Sequence, residues 1–177
     1  MAQKRMVFIF AAAAFTALAG CSGQVPQQPA PAGGFSLVSD SFHADSEIPS
    51  EFTCDGKNTQ PALRWSNLPS GTRSLALVVR DPDAPSGHFL HWAVVDIPPV
   101  VPGFALGTRP PARELRNDAG NNGYTGPCPP SGRHRYIFTL YALDSESYAG
   151  GNARLEDYLD PRSLGKAVLT GLYQRKK

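Results

Sequence analysis

Hydrophobic and polar positions fall into two patterns along the chain. Short apolar runs at 35–38, 63–65, 74–79, 91–97 and 136–143 are rich in β-branched and aromatic residues and bounded by Gly, Pro, Asn and Asp. Runs of that kind predict β-strands. The run at 136–143, Tyr-Ile-Phe-Thr-Leu-Tyr-Ala-Leu, is apolar or aromatic at nearly every position, which predicts a central strand covered on both faces. Between 98 and 125 the chain is rich in Pro, Gly and Asn and predicts a long loop across one end, with an edge strand at 112–116. Loops of that length usually carry function. After residue 160 the period changes. Asp160 can cap, Pro161 suits a first helical position, and Leu164, Val168 and Leu172 with Leu169 and Tyr173 form an apolar stripe ending in Arg175, Lys176 and Lys177. This predicts a C-terminal helix with its basic end placed to complement the helix dipole, and a shorter helix is predicted at 153–159.

The first twenty residues read as an address label. Lys4 and Arg5 form a positive n-region, 6–18 is apolar but too short to span a bilayer, and Leu18-Ala19-Gly20-Cys21 closes the stretch with small residues before a cysteine. Leu18 to Cys21 also resembles a bacterial lipobox, which implies cleavage before Cys21 and a diacylglycerol thioether plus an amide-linked chain on that residue. Such an anchor exceeds the two hydrophobic signals that stable membrane attachment needs. Ordinary secretion with Cys21 idle is the alternative. Ser22 after the cysteine, in place of Asp, points by lipoprotein sorting rules to the outer membrane, facing the periplasm. Residues 21–34, mostly Gly, Pro, Gln, Ala and Ser, read as a flexible tether, and 35–177 is one domain's worth of chain.

Charge removes one class of partner. Loss of Lys4 and Arg5 with the leader takes 17 basic residues to 15, against 15 acids, so the mature chain is formally neutral and a nucleic-acid partner has no electrostatic support. Cys54 and Cys128 remain as an even pair in an oxidising space. They read as a disulfide, worth about 4 kcal/mol by chain entropy, or as two unpaired thiols, since spacing does not show whether their Cα atoms approach.

Chemistry concentrates in two stretches. Residues 81–92, Asp-Pro-Asp-Ala-Pro-Ser-Gly-His-Phe-Leu-His-Trp, place two acids, two prolines and two histidines between probable strands, and the prolines stiffen the loop. Residues 123–136, Gly-Tyr-Thr-Gly-Pro-Cys-Pro-Pro-Ser-Gly-Arg-His-Arg-Tyr, add a turn and a third candidate histidine. Taken singly, Asp81 is a residue that caps a turn, His91 a strand histidine and His134 a residue preceding a strand.

Together these motifs resemble the phosphatidylethanolamine-binding protein family in its bacterial Raf kinase inhibitor-like branch. The resemblance rests on Asp81-Pro82-Asp83-Ala84-Pro85, His91-Trp92, Gly123-Tyr124, Gly126-Pro127-x-Pro129-Pro130 and Gly132-x-His134-Arg135-Tyr136, in that order. Asn58-Thr59-Gln60-Pro61, Asp96 and Ala119 depart from the family's pattern, away from the acids and histidines. The family implies a mainly β fold, an antiparallel β-sandwich with a Greek-key core and peripheral helices, and a cis peptide at Ala84-Pro85. It also implies a small cavity lined by Asp81, Asp83, His91, Gly126, Pro130, His134 and Tyr136. Imidazole N–H groups, the tyrosine hydroxyl and backbone N–H groups of the glycine turn would be inward donors for a phosphate, and a carboxylate would pair with an ammonium. A phospholipid head group such as phosphoethanolamine fits that description.

The reading is therefore a non-catalytic, lipid-anchored binding protein for a small phosphorylated or anionic ligand, without cofactor. Relatives that inhibit kinases or serine proteases make a protein-interaction regulator the second reading, and a weak hydrolase the third. No serine or cysteine stands in a nucleophile motif, no His-x-x-x-His pair supports a metal site, and His43 and His88 read as exposed loop residues.

Overall fold

A computed structural model describes residues 33–150 and 154–176. The leader at 1–20, Cys21 and most of the tether lie outside the described residues. The described chain forms nine strands: β1 (Ser36–Ser39), β2 (Ser46–Glu47), β3 (Leu63–Ser66), β4 (Ser74–Asp81), β5 (Phe89–Ile97), β6 (Gly103–Phe104), β7 (Arg113–Glu114), β8 (Arg133–Leu143) and β9 (Ser163–Gln174). One short helix, α1 (Leu155–Leu159), and two 3-10 turns, Ser50–Phe52 and Asp160–Arg162, complete it.

The strands form two sheets, ordered β1-β3-β6 and β2-β9-β8-β4-β5-β7. All pairings are antiparallel except that of β2 with β9. Within the larger sheet β8 lies beside β4, followed by β5 and β7, the spatial order of a Greek key. Strand β7 is the predicted edge strand. The sheets enclose the main core, where Leu37, Trp65 and Phe104 of the small sheet meet Leu77, Trp92, Phe138 and Leu169 of the large one. Each such side chain contributes about 1.5–3 kcal/mol by leaving water. A second cluster covers the outer face of the large sheet, where Val78, Ala93, Val95 and Tyr141 pack under Leu155 and Leu159 of α1. Two covers explain the apolar run of β8: Tyr136, Phe138 and Leu140 enter the main core, and Tyr141 and Leu143 enter the second.

Two expectations are corrected. The segment after Asp160 is strand β9, not a helix, and the helix near the C-terminal end is α1 alone. Leu164, Val168 and Leu172 are spaced by four, so a period of 2 puts them on one face just as a period of 3.6 does. In the fold Ala167, Leu169, Gly171 and Tyr173 point inward while Leu164 and Val168 are exposed. Asp160 and Pro161 lie inside a single 3-10 turn whose N-cap is Leu159, and Asp160 makes no side-chain capping bond but accepts from Lys166. What decides the conformation is tertiary: β9 pairs with β8 from Ser163 to Gln174, satisfying a backbone edge that a helix would leave open. The second correction is Ala84-Pro85, which is trans, as is every peptide bond among the described residues. The tip of the β4–β5 hairpin closes instead through Gly87 N–H donating to the Ala84 carbonyl at 2.7 Å.

Gly171 distinguishes strand from helix by sign. A Cβ there would lie 2.5 Å from Ile48 Cγ1 and 2.9 Å from Phe42 Cε2. Gly171→Ala should therefore lower stability to chemical denaturation by about 1–3 kcal/mol. In a helix the same change would raise it by about 1 kcal/mol.

Candidate functional site

Three adjacent strands bring the candidate residues together at one end of the large sheet. Along β4, Leu75, Leu77 and Val79 face the main core and Asp81 continues the same alternation at the strand's end. On β8, His134 and Tyr136 share that face with Phe138. On β5 the register slips: Val79 pairs with Trp92 but Arg80 pairs with Leu90, so His91 is the extra residue of a β-bulge. Bulges re-aim side chains. The His91 ring lies with its centroid 5.1 Å from that of Tyr136, near perpendicular, and 4.8 Å from that of Phe89. A second bulge on β5 falls where Leu75 pairs with Ile97 and Leu77 with Val94. Asp96, at φ 60°, sits there, a conformation that Asp shares with Asn, which accounts for the acid at this position.

Asp81 is the centre of the cluster. Its Oδ2 accepts from His134 Nδ1–H at 2.8 Å and its Oδ1 from the Asp83 backbone N–H at 2.8 Å. His91 Nδ1–H donates to the Thr125 carbonyl at 2.7 Å. The Tyr136 hydroxyl is buried and makes no hydrogen bond with the protein. Exposure is slight throughout, 4% for Asp81, 5% for His91, 7% for His134 and 1% for Tyr136. Burial raises the Tyr136 pKa, and the nearby Asp81 charge raises it further, so the hydroxyl keeps its proton.

The loop after β7 holds His91 in place. Asn117 donates through Nδ2 to the Gly123 carbonyl at 2.9 Å, to Thr125 Oγ1 at 2.9 Å and to the His91 carbonyl at 3.3 Å. Asp118 Oδ2 accepts from Leu90 N–H at 2.7 Å, and Thr125 N–H donates to the His91 carbonyl at 3.0 Å. Asn117 and Asp118 were not singled out in the sequence. Their signal was the density of Asn, Asp and Gly in a long loop, which marks a turn without saying which side chain is buried.

The glycine turn is positioned from the opposite side. Gly126 packs so closely that a Cβ would lie 2.3 Å from the Phe52 carbonyl oxygen. Its N–H donates to Asn58 Oδ1 at 2.7 Å, so this donor is committed within the protein and does not face a ligand. Its carbonyl instead acts on His91. Cys54 and Cys128 are joined by a disulfide with Cα atoms 5.4 Å apart across 74 residues, and Cys54 N–H donates to the Pro127 carbonyl. Tyr124 OH donates to the Phe52 carbonyl at 2.9 Å.

Two predicted residues stand apart. The Asp83 carboxylate is held by Arg135, whose Nη2 and Nε donate at 2.7 and 2.8 Å, and also accepts from the Arg135 N–H at 2.9 Å. Those bonds lower its pKa to about 2. Pro130 is exposed and lines an open cavity of about 1250 Å³ with Ile48, Asp55, Tyr173 and Arg175. A second cavity, about 260 Å³, lies under the hairpin tip beside His88 and Glu156. Neither includes Asp81, His91, His134 or Tyr136.

The fold and site are those of a Greek-key sandwich that carries, at one end, a buried Asp-His pair, a second histidine on a bulge and a buried tyrosine hydroxyl without a protein hydrogen bond. The comparisons give the family. Residues 38–174 match the model of the phosphatidylethanolamine-binding protein family. The chain is 44% identical over 149 residues to a UPF0098 protein of Methanothermobacter thermautotrophicus, covering 78% of this chain and 98% of the relative. It is 40% identical over 146 residues to YbcL of Escherichia coli, covering 74% and 80%. The crystal structure of YbcL, described as a member of the mammalian PEBP family, superposes with a TM-score of 0.76 at 32% identity over 81% of this chain and 100% of that one. A phosphatidylethanolamine-binding protein homolog from Chlamydia trachomatis gives 0.74 at 35%, over 81% and 99%. The chain belongs to the phosphatidylethanolamine-binding protein family.

His91 makes stability depend on pH. Burial lowers its pKa from 6.5, opposed by the Thr125 carbonyl and by the charges of Asp81 and Asp118. Between the folded and unfolded values the unfolded chain binds more protons, so stability is full above about 6.5 and falls as pH drops through that window. His91→Gln should lose less stability than the wild type between pH 7.5 and 5.5 in urea titrations. Equal losses would show that His91 does not carry the effect.

Proposed function

We propose that the Asp81, His91, His134 and Tyr136 cluster binds the phosphate or other small anionic group of a phosphorylated ligand, and that the protein binds without turning the ligand over. The observation that carries this reading is the Tyr136 hydroxyl, buried and without a protein partner beside two histidines. A buried hydroxyl left unpaired is costly, and a ligand oxygen removes that cost. Asp81 retains unused lone pairs for an ammonium group on the same ligand. Relatives that are described as phosphatidylethanolamine-binding proteins support a head group such as phosphoethanolamine. The absence of turnover is supported by the lack of a serine or cysteine in a nucleophile motif, with Cys128 bridged and Ser86 Oγ donating to the His88 carbonyl.

We further propose that the mature chain is tethered by lipid on Cys21 in the cell envelope, on the periplasmic side of the outer membrane. The disulfide supports an oxidising compartment.

Titration of the full chain in a non-ionic detergent with phosphoethanolamine, followed through the histidine ring signals by NMR, tests the site. The signals of His91 and His134 should move together while those of His43 and His88 stay still, and the ligand should be recovered unchanged. If no ring responds to phosphoethanolamine or to inorganic phosphate, the cluster is structural. Release of free phosphate would refute the non-catalytic reading.

A further inference from the structure

The direction of the strands puts the start of the described chain and the Asp81 cluster at opposite ends of the domain. The chain is described from Gly33, and Phe35 leads directly into β1. That start is fixed at one end of the large sheet. The Gly34 carbonyl accepts from Asn67 Nδ2 at 3.1 Å, and a Cβ on Gly165 would lie 3.6 Å from Phe35 Cδ1 and 3.0 Å from Pro69 Cγ. Ser74 and Ser163, where β4 and β9 begin, pair there with Leu143, where β8 stops. The cluster lies at the other end: Asp81 closes β4, His134 is near the start of β8, and its partner on β9 is Tyr173. From Gly165 to Tyr173, β9 rises about 26 Å at about 3.3 Å per residue.

The end that carries the chain start is also suited to an interface. Two of the four exposed large apolar side chains among the described residues stand there, Val100 at 88% and Leu164 at 44%. Val100 precedes the carbonyl of Val101 that accepts from Trp65 Nε1, and Leu164 lies beside Gly71. Ionic side chains at this end are matched, Arg73 with Glu146 and Lys166 with Asp160. At the cluster end Arg133, Arg135 and Arg175 are held by Glu47, Asp83 and Asp55, so they offer an anionic bilayer little net attraction.

We propose that the end of the domain around Phe35, Val100 and Leu164 is its membrane-facing surface, and that the cluster, held at the far end, takes its ligand from the periplasm and not from the anchoring bilayer. The inference rests on the Cys21 tether and the anion-site reading above. From Cys21 to Gly34 a coil of this composition has a mean reach of about 20 Å and a fully extended limit of about 45 Å. With the chain start against the bilayer that reach suffices, and Val100 and Leu164 enter the head-group region. Turning the domain over would lift the chain start by the length of the sheet, draw the tether beyond its mean reach and return both apolar side chains to water. The orientation sets the source of the head group and not its ester state: phosphomonoesters and phosphodiesters both stay within the chemistry of the cluster.

The lipidated full chain in vesicles of phosphatidylcholine and phosphatidylglycerol tests this with one fluorophore, placed through Val100→Cys or through Ser86→Cys at the tip of the β4–β5 hairpin. Cys54 and Cys128 are bridged and take no label. A nitroxide carried on the lipid head groups should quench the Val100 label and leave the Ser86 label bright. Replacing phosphatidylcholine by phosphatidylethanolamine should leave the calorimetric affinity for water-borne phosphoethanolamine unchanged. Equal quenching of the two labels, quenching at Ser86 alone, or competition by the bilayer phosphatidylethanolamine overturns the orientation and leaves the anion site standing. Wild-type chain that fails to float with the vesicles, as Cys21→Ser should fail, overturns the tether and the orientation together. No binding of phosphoethanolamine in detergent or on vesicles overturns the anion site and with it the ligand source.

Discussion

The Asp81 carboxylate is the constraint on which the site depends. It is 4% exposed at the end of β4, and a carboxyl group is tolerated so deep only if its oxygens are satisfied. The Asp83 N–H and His134 Nδ1–H meet that demand, the first tying the hairpin loop to the strand and the second tying β4 to β8. Removing one partner from a buried charged pair typically costs about 3–5 kcal/mol, so the geometry of the histidine is bound to the stability of the sheet. The Asp83–Arg135 pair repeats the link on the exposed side of the same two segments.

His91 is placed by independent means. The β5 bulge turns it beside Tyr136, and Asn117, Asp118 and Thr125 hold its backbone and ring nitrogen. From the other flank the disulfide, Asn58 and Tyr124 fix the glycine turn to the 50–58 loop. The site is thus assembled before any ligand arrives. Preorganisation of this kind lowers the ordering cost of binding.

Much of this was legible in the sequence because period and composition agree. Five strands were readable from β-branched and aromatic runs, the edge strand from its place in a Pro-rich loop, and the acids and histidines from the ordered motifs. Strand β9 was misread because Leu164, Val168 and Leu172 fit both periods, and its pairing with β8 is a long-range fact. Strands β2 and β6, of two residues each like β7 but without its Pro-rich setting as a cue, are too short for any period to register. The bulge at His91 and the burial of Asn117 depend on register and close packing, which residue types do not encode. The Arg135 partner of Asp83 was not readable for a similar reason: Arg135 is a neighbour only once β8 lies beside the hairpin. Which ring nitrogen faces Thr125 and Asp81, and so what each imidazole can offer a ligand, is likewise a fact of packing that residue types do not encode.

That last point is the centre of the account, since the tautomers set what the cluster can bind. The most direct test is the nitrogen chemical shift of each histidine ring in the ligand-free full chain, at a pH where His91 is neutral. The account predicts that His91 carries its proton on Nδ1, with Nε2 in the unprotonated range, and that His134 has its Nδ1 proton engaged by Asp81. A His91 ring protonated on Nε2 and bare at Nδ1 would contradict it.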